Sequence, residues 1–285
     1  MKNPIWKIFF LLIMGVMMLL NNIFLKTLRD KRVALSWWSI GFFLYNFLIA
    51  SLYPSIQDAA GELEGYIEKL PDAFKAMFLS GAGDITSPAG YLNAESFTLM
   101  IPVMLLIFGI GFGAAAVAGE EEAGTLDLLL SNPLPRWRVV VEKFFAMVVG
   151  MSVISLASWL SLFFGALLFD MDIGAGQLAA ATVSGALLGL SFGAIALAVG
   201  CATGRKGFAI AVGVAVAVGS YLLNIMAKIV ESLEPYEKFS LFYYNLNTDP
   251  LVKGLKIGDV AVFVGFAVVL LTFSIVLFQR RDLSV

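Results

Sequence analysis

The sequence predicts an all-α polytopic membrane protein: six transmembrane helices with a cytoplasmic coupling helix and extracellular interfacial helices. Three observations predict it. The 285 residues are 60% hydrophobic and only 14% charged, with a mean hydropathy of +0.89, whereas a soluble domain carries about a quarter charged residues. Several uncharged runs reach the roughly 17–25 residues that cross a bilayer as a helix. The alternating segments of about ten residues that mark a membrane barrel are absent.

The six spans are expected at about 33–54, 97–118, 139–169, 177–203, 207–227 and 259–278. Charges, prolines or glycines bound each one, and a helix satisfies its own backbone in lipid without an open edge. Residues 8–25 form a further uncharged run, interrupted by Asn21 and Asn22. It reads as a seventh span, a helix lying in the interface or a leader, although no small-residue cleavage site follows it. The chain therefore divides into an N-terminal apolar segment with an interfacial leading helix (1–32), a six-span domain (33–278) and a tail (279–285).

Basic residues set the direction. Lys26, Arg29, Lys31 and Arg32 precede the first span, and Arg136, Arg138 and Lys143 lie at the start of the third. Arg205 and Lys206 separate the fourth from the fifth, and Arg280 and Arg281 follow the sixth. If the spans alternate, all eleven fall on one side, so both ends of the six-span unit are expected in the cytoplasm. Two outer loops are long. In 55–96, Leu63, Tyr66, Ile67, Leu70, Phe74, Met77 and Phe78 give one apolar helical face broken by Pro71, the pattern of short interfacial helices. In 231–258, Phe239, Phe242, Tyr243 and Tyr244 suit the headgroup level, or a lid over a path.

Composition excludes several functions. A net charge of −2 offers no basic surface for nucleic acid. There is no histidine, which removes the commonest general base and metal ligand. The single cysteine, Cys201, cannot form an internal disulfide and reads as a small buried apolar residue. Met100/Met104 and Met147/Met151 are i, i+4 pairs, and thioethers suit Cu(I), but methionine in a span is far more often packing. The expected spans carry almost no ionisable group, which disfavours an ion-coupled carrier; Asn46 and Asn224 read as interhelical hydrogen bonds. Gly185, Gly189 and Gly193 lie on one face of the fourth span and permit close helix contact, within the subunit rather than across a dimer seam.

The most informative stretch is 119–143, GEEEAGTLDLLLSNPLPRWRVVVEK. Leu126, Leu129 and Leu130 make an apolar edge, Thr125 can cap their helix, and Asp127 suits its first turn. Asn132-Pro133 ends it, and Pro135 suits the start of the next helix. Two turns are not stable alone in water, so this helix must rest on the membrane surface or dock into a groove on a partner.

This stretch resembles the signature of type-two ABC transporter permeases: an acidic run, Gly-Thr-Leu, a Leu-Leu pair, a small residue, Pro, then Arg before a span. SPAGYLNAESF, FYYNLNTDPLVKG and FQRRDL are similar to the same family, in particular to its multicopper-enzyme-maturation branch. The resemblance covers the chain from about Lys26. It departs in the long apolar run before Lys26 and in Leu134-Pro135, where a single small or polar residue is usual.

The resemblance implies a permease subunit of an exporter in the cytoplasmic membrane of a bacterium or archaeon. It implies a second permease subunit, in a homodimer or heterodimer, and an ABC ATPase subunit on the cytoplasmic side. Carried over, Glu120, Glu121, Glu122, Gly124, Thr125, Leu126, Leu129, Pro133 and Arg136 would form the ATPase-coupling element, with Lys26–Arg32 touching the ATPase as well. The chain contains no GxxxxGK[ST] phosphate loop, so no cofactor is expected on it; ATP and Mg would sit on the ATPase. Apart from the lipid, no other partner is implied. The alternatives are an ion-coupled secondary transporter and a membrane assembly factor.

Overall fold

The computed structural model describes residues 23–59, 65, 69–71, 86–130 and 135–281. Among them there is no strand. Six helices are long and apolar enough to cross a membrane: Ile23–Asp58, Pro88–Ala116, Arg136–Leu168, Ala175–Thr203, Lys206–Ile229 and Ile257–Arg280, the first to sixth spans. The run 8–22, most of the apolar face in 63–78, Asn132, Pro133 and the last four residues lie outside the described residues.

Two boundaries differ from expectation. Lys26–Arg32 do not form a separate interfacial helix; they continue unbroken into the first span, because nothing in 23–58 before Pro54 interrupts the helical ladder. The second span begins well before residue 97. Ser87 caps it, its hydroxyl accepting from Gly90 N at 3.1 Å, and Pro88 occupies the first turn. A π turn at Asn93–Phe97 then shifts the register before Met100–Ala116.

The fourth span is the hub: 67% of its apolar window is buried, against 17% in the first and sixth. Its glycines explain why. A methyl group added to Gly109 would lie 2.3 Å from the Gly189 carbonyl oxygen, and one on Gly113 2.0 Å from that of Gly193. The second and fourth spans therefore touch backbone to backbone, which only small residues permit. Gly185 continues the seam against Leu105. Met147 and Met151 of the third span are buried and close its flank: a methyl on Gly193 would meet Met147 Sδ at 2.8 Å, and one on Gly189 Met151 Cε at 2.9 Å. Asn46 on the first span donates to Ser158 Oγ on the third at 2.8 Å, a buried interhelical bond.

The segment between the fifth and sixth spans is only partly a surface layer. A 3₁₀ helix at Glu231–Phe239 leaves Tyr236 and Phe239 exposed. The π turn at Tyr243–Asn247 and the short helix Pro250–Lys253 instead tuck inward, burying Leu246 and Leu251. Just before that turn, the buried ring of Phe242 lies 5.9 Å from Phe192 and 5.2 Å from Tyr221.

Candidate functional site

The second span does not run directly into the third. It bends at Val117 into a short helix, Ala118–Glu122, and then turns through Gly124 into Leu126–Leu130. Gly124 has φ +65°, a left-handed geometry that costs glycine nothing, and the turn closes with Gly124 N donating to Glu121 O at 3.0 Å and Thr125 N to Glu120 O at 2.9 Å. The Thr125 hydroxyl donates back to Glu120 O at 3.2 Å.

The three glutamates each take a different partner on the bundle, Glu120 and Glu121 half-buried and Glu122 exposed. Glu120 pairs with Lys143 of the third span, whose side chain is 2% exposed. Glu121 pairs with Arg281 at the end of the sixth span. Glu122 accepts from the Lys206 backbone N–H at 2.7 Å. That N–H begins the fifth span, where an unpaired donor and the helix dipole favour a carboxylate. Arg281 also donates to Cys201 O near the end of the fourth span at 3.3 Å, and Arg136 donates to Arg281 O at 2.8 Å while lying over the Phe278 ring. The result is a clasp that ties one short acidic helix to the third, fourth, fifth and sixth spans.

Gly204 makes room for it. It ends the fourth span at φ +66°, and a methyl there would lie 2.1 Å from Arg281 Nη2 and 2.6 Å from either Glu121 oxygen. The first span is attached separately. Glu142 accepts from Phe24 N at 2.9 Å and pairs with Arg138 at 2.5 Å.

The leucine edge also turns inward. Leu126 and Leu129 are 2% and 7% exposed; Leu129 packs with Ile23 and Val139, and Leu126 joins the main core. Leu126 and Leu129 thus pack within their own chain. What the excursion leaves outside is different: Ala123, Gly124, Thr125, Asp127, Pro135 and Trp137 are exposed, Trp137 at 46%. Trp137 was not singled out from the sequence, where it looks like the first apolar residue of a span. Its signal is its place between Arg136 and Arg138, two residues ahead of the buried Val139 and Val140.

Of the predicted coupling residues, the structure gathers Glu120, Glu121, Glu122, Gly124, Thr125, Leu126, Leu129 and Arg136 within this one end of the bundle; Pro133 is outside the described residues. Among the described residues no group of three or more Cys, Asp or Glu is placed to hold a metal ion. Cys201 is buried and free.

A bundle of six helices of membrane length with a folded acidic excursion between the second and third is the architecture of a polytopic membrane protein. The family described as ABC-2 family transporter protein matches residues 21–283, and the chain belongs to that family. No curated protein matches it.

Proposed function

We propose that this chain is the membrane-spanning permease subunit of an ATP-driven exporter, worked by an ABC ATPase on a separate polypeptide. The observation that carries the reading is the acidic excursion. Its acidic helix, Ala118–Glu122, is fastened to the third, fifth and sixth spans, and Arg281 carries the tie on to the fourth, while Thr125, Asp127 and Trp137 are exposed on the turn, the leucine helix and the start of the third span that follow it. A protein docking there could move the clasped spans together as a rigid body, the kind of motion by which packed helices alternate between states. Family membership supports the same reading.

In this account the basic end faces the cytoplasm of a bacterial or archaeal cell, following the positive-inside bias. ATP and Mg belong to the ATPase, since the chain has no phosphate loop. Two permease subunits would pair, and the widely exposed apolar faces of the first and sixth spans are available for that contact or for lipid. In this reading Leu126 and Leu129, which are buried, anchor the helix from within, and the exposed Thr125, Asp127 and Trp137 would meet the ATPase.

Reconstitution tests this. The chain together with its ATPase in sealed vesicles is expected to move an amphiphilic cargo when ATP is supplied on the clasp side. Uphill movement by the chain alone, driven by a proton or sodium gradient, would overturn the reading.

A further inference from the structure

At the end of the bundle opposite the clasp, the segment that follows the fifth span meets the second and fourth spans through polar side chains. Asn93 and Thr98 come from the second span, Ser184 from the fourth, and Asn245 and Asp249 from the segment itself. Each of the two π turns supplies one of the asparagines. Asn93, Thr98, Ser184 and Asn245 are all more than nine-tenths buried. Polar groups held this deep must find partners inside the joint.

Within the joint lies a cavity of about 20 Å³, lined by Asn93, Thr98, Asn245 and Asp249, with Ala181 and Leu246 in its wall. That is room for one water molecule. Two direct bonds border it: Ser184 donates to Asn245 Oδ1 at 2.7 Å, and Asn93 donates to Asp249 Oδ1 at 3.0 Å. They leave two groups over. The Asn245 NH2 and Asp249 Oδ2 have no hydrogen bond or ion pair among the described residues, and both keep surface that a water molecule can reach. Asn245 is itself only 6% exposed, so the open part of its amide is the part it shows to the cavity it lines.

We propose that this cavity is a binding site for one ordered water, which accepts from Asn245 Nδ2 and donates to Asp249 Oδ2. A donor and an acceptor facing one small space are the two halves of what a water completes. A metal cation of similar size is the rival occupant. It would need about six oxygens around it, whereas here the Asn245 NH2 presents hydrogens and the Asn93 NH2 already takes one Asp249 oxygen.

The water gives the joint its play. It bridges the π turn at Tyr243–Asn247 to the start of the helix Pro250–Lys253, beside the π turn of the second span. A bridging water holds nearly as well as a direct bond, and it can re-aim its hydrogens when the segment shifts, so neither Asn245 nor Asp249 is stranded. The inference goes beyond the permease reading and does not rest on it.

The test is X-ray hydroxyl-radical labelling of the full chain in nanodiscs, in which radicals made from water oxidise the side chains beside it. After a rapid change into heavy-oxygen water, buried Leu246 and Pro250 should still be labelled with light oxygen, and should take up heavy oxygen later than exposed Phe239. No labelling at Leu246 and Pro250, or heavy oxygen there as early as at Phe239, overturns the proposal. Two variants of like shape sharpen it. Ala181→Thr and Ala181→Val both fill the cavity, but only threonine replaces the water's hydrogen bonds. Amide exchange across 243–253 is expected to be about fivefold faster in the valine variant, the worth of one hydrogen bond; equal exchange, or slower exchange with valine, contradicts a wet cavity. Exchanging sodium for choline in the buffer should change nothing in the unaltered chain. Loss of amide protection on that exchange would assign the site to a cation and overturn the proposal.

Discussion

The two ends of the bundle are held by different forces. At the end carrying the acidic excursion, carboxylates tie span termini together through Lys143, Arg281 and the Lys206 N–H. At the opposite end no salt bridge as close as these joins two described residues, although Glu237 attracts Lys228 there. Hydrogen bonds do the work there: Asn93 donates to Asp249 Oδ1 at 3.0 Å, Ser184 to Asn245 Oδ1 at 2.7 Å, Tyr45 to Glu95 O at 2.8 Å and Tyr91 to Ile49 O at 2.9 Å. Two π turns, Asn93–Phe97 and Tyr243–Asn247, sit among these bonds, and such turns recur at functional sites. The contrast suits a machine driven from one end. Ion pairs make a stiff grip that an added charge can rearrange, whereas short hydrogen bonds around π turns can change register at small cost.

The largest expected effect breaks the grip. Glu120→Ala strands the buried Lys143 ammonium, and removing one partner of such a pair costs about 3–5 kcal/mol. Thermal unfolding in nanodiscs should show it, with most of the loss recovered by adding Lys143→Met. Next comes the opposite end. Asn93→Ala removes a bond to a carboxylate, for an expected loss of about 1.5–3 kcal/mol, read as faster amide exchange confined to 243–253. Gly204→Ala should cost about 1–2 kcal/mol, since it forces a side chain into a left-handed position against the Arg281–Glu121 pair. The smallest effect is ionic. Raising salt should loosen the partly exposed Glu121–Arg281 pair by less than about 1 kcal/mol, detected as increased exchange near Arg281, with no change at the hydrogen-bonded end. Equal salt sensitivity at both ends would erase the comparison.

Much of this architecture is legible in the sequence, because apolar runs of membrane length admit few structures. The six spans fall where the runs fall, and the Gly185–Gly189–Gly193 face announces a close contact. What a single sequence hides is rotation and pairing. Gly109 and Gly113 carry the complementary spacing, yet nothing local says which helix they meet. The leucine edge of the excursion is visible as a periodicity, but periodicity has no inside or outside; Ile23 and Val139, brought from distant positions, decide it. The glutamates look like a solvated run until Lys143, Lys206 and Arg281 are folded against them.

The central claim is that the outward face of the excursion meets an ATPase while its inward face grips the spans. The most direct measurement is site-specific photo-cross-linking in native membranes, from a benzoylphenylalanine placed at Asp127 and, as a control, at Phe239 on the opposite end. The account predicts that the Asp127 probe captures a polypeptide identified by mass spectrometry as an ABC ATPase, carrying a phosphate loop, and that the Phe239 probe does not. Capture of lipid alone, or only of a second copy of this chain, from the Asp127 position would contradict it.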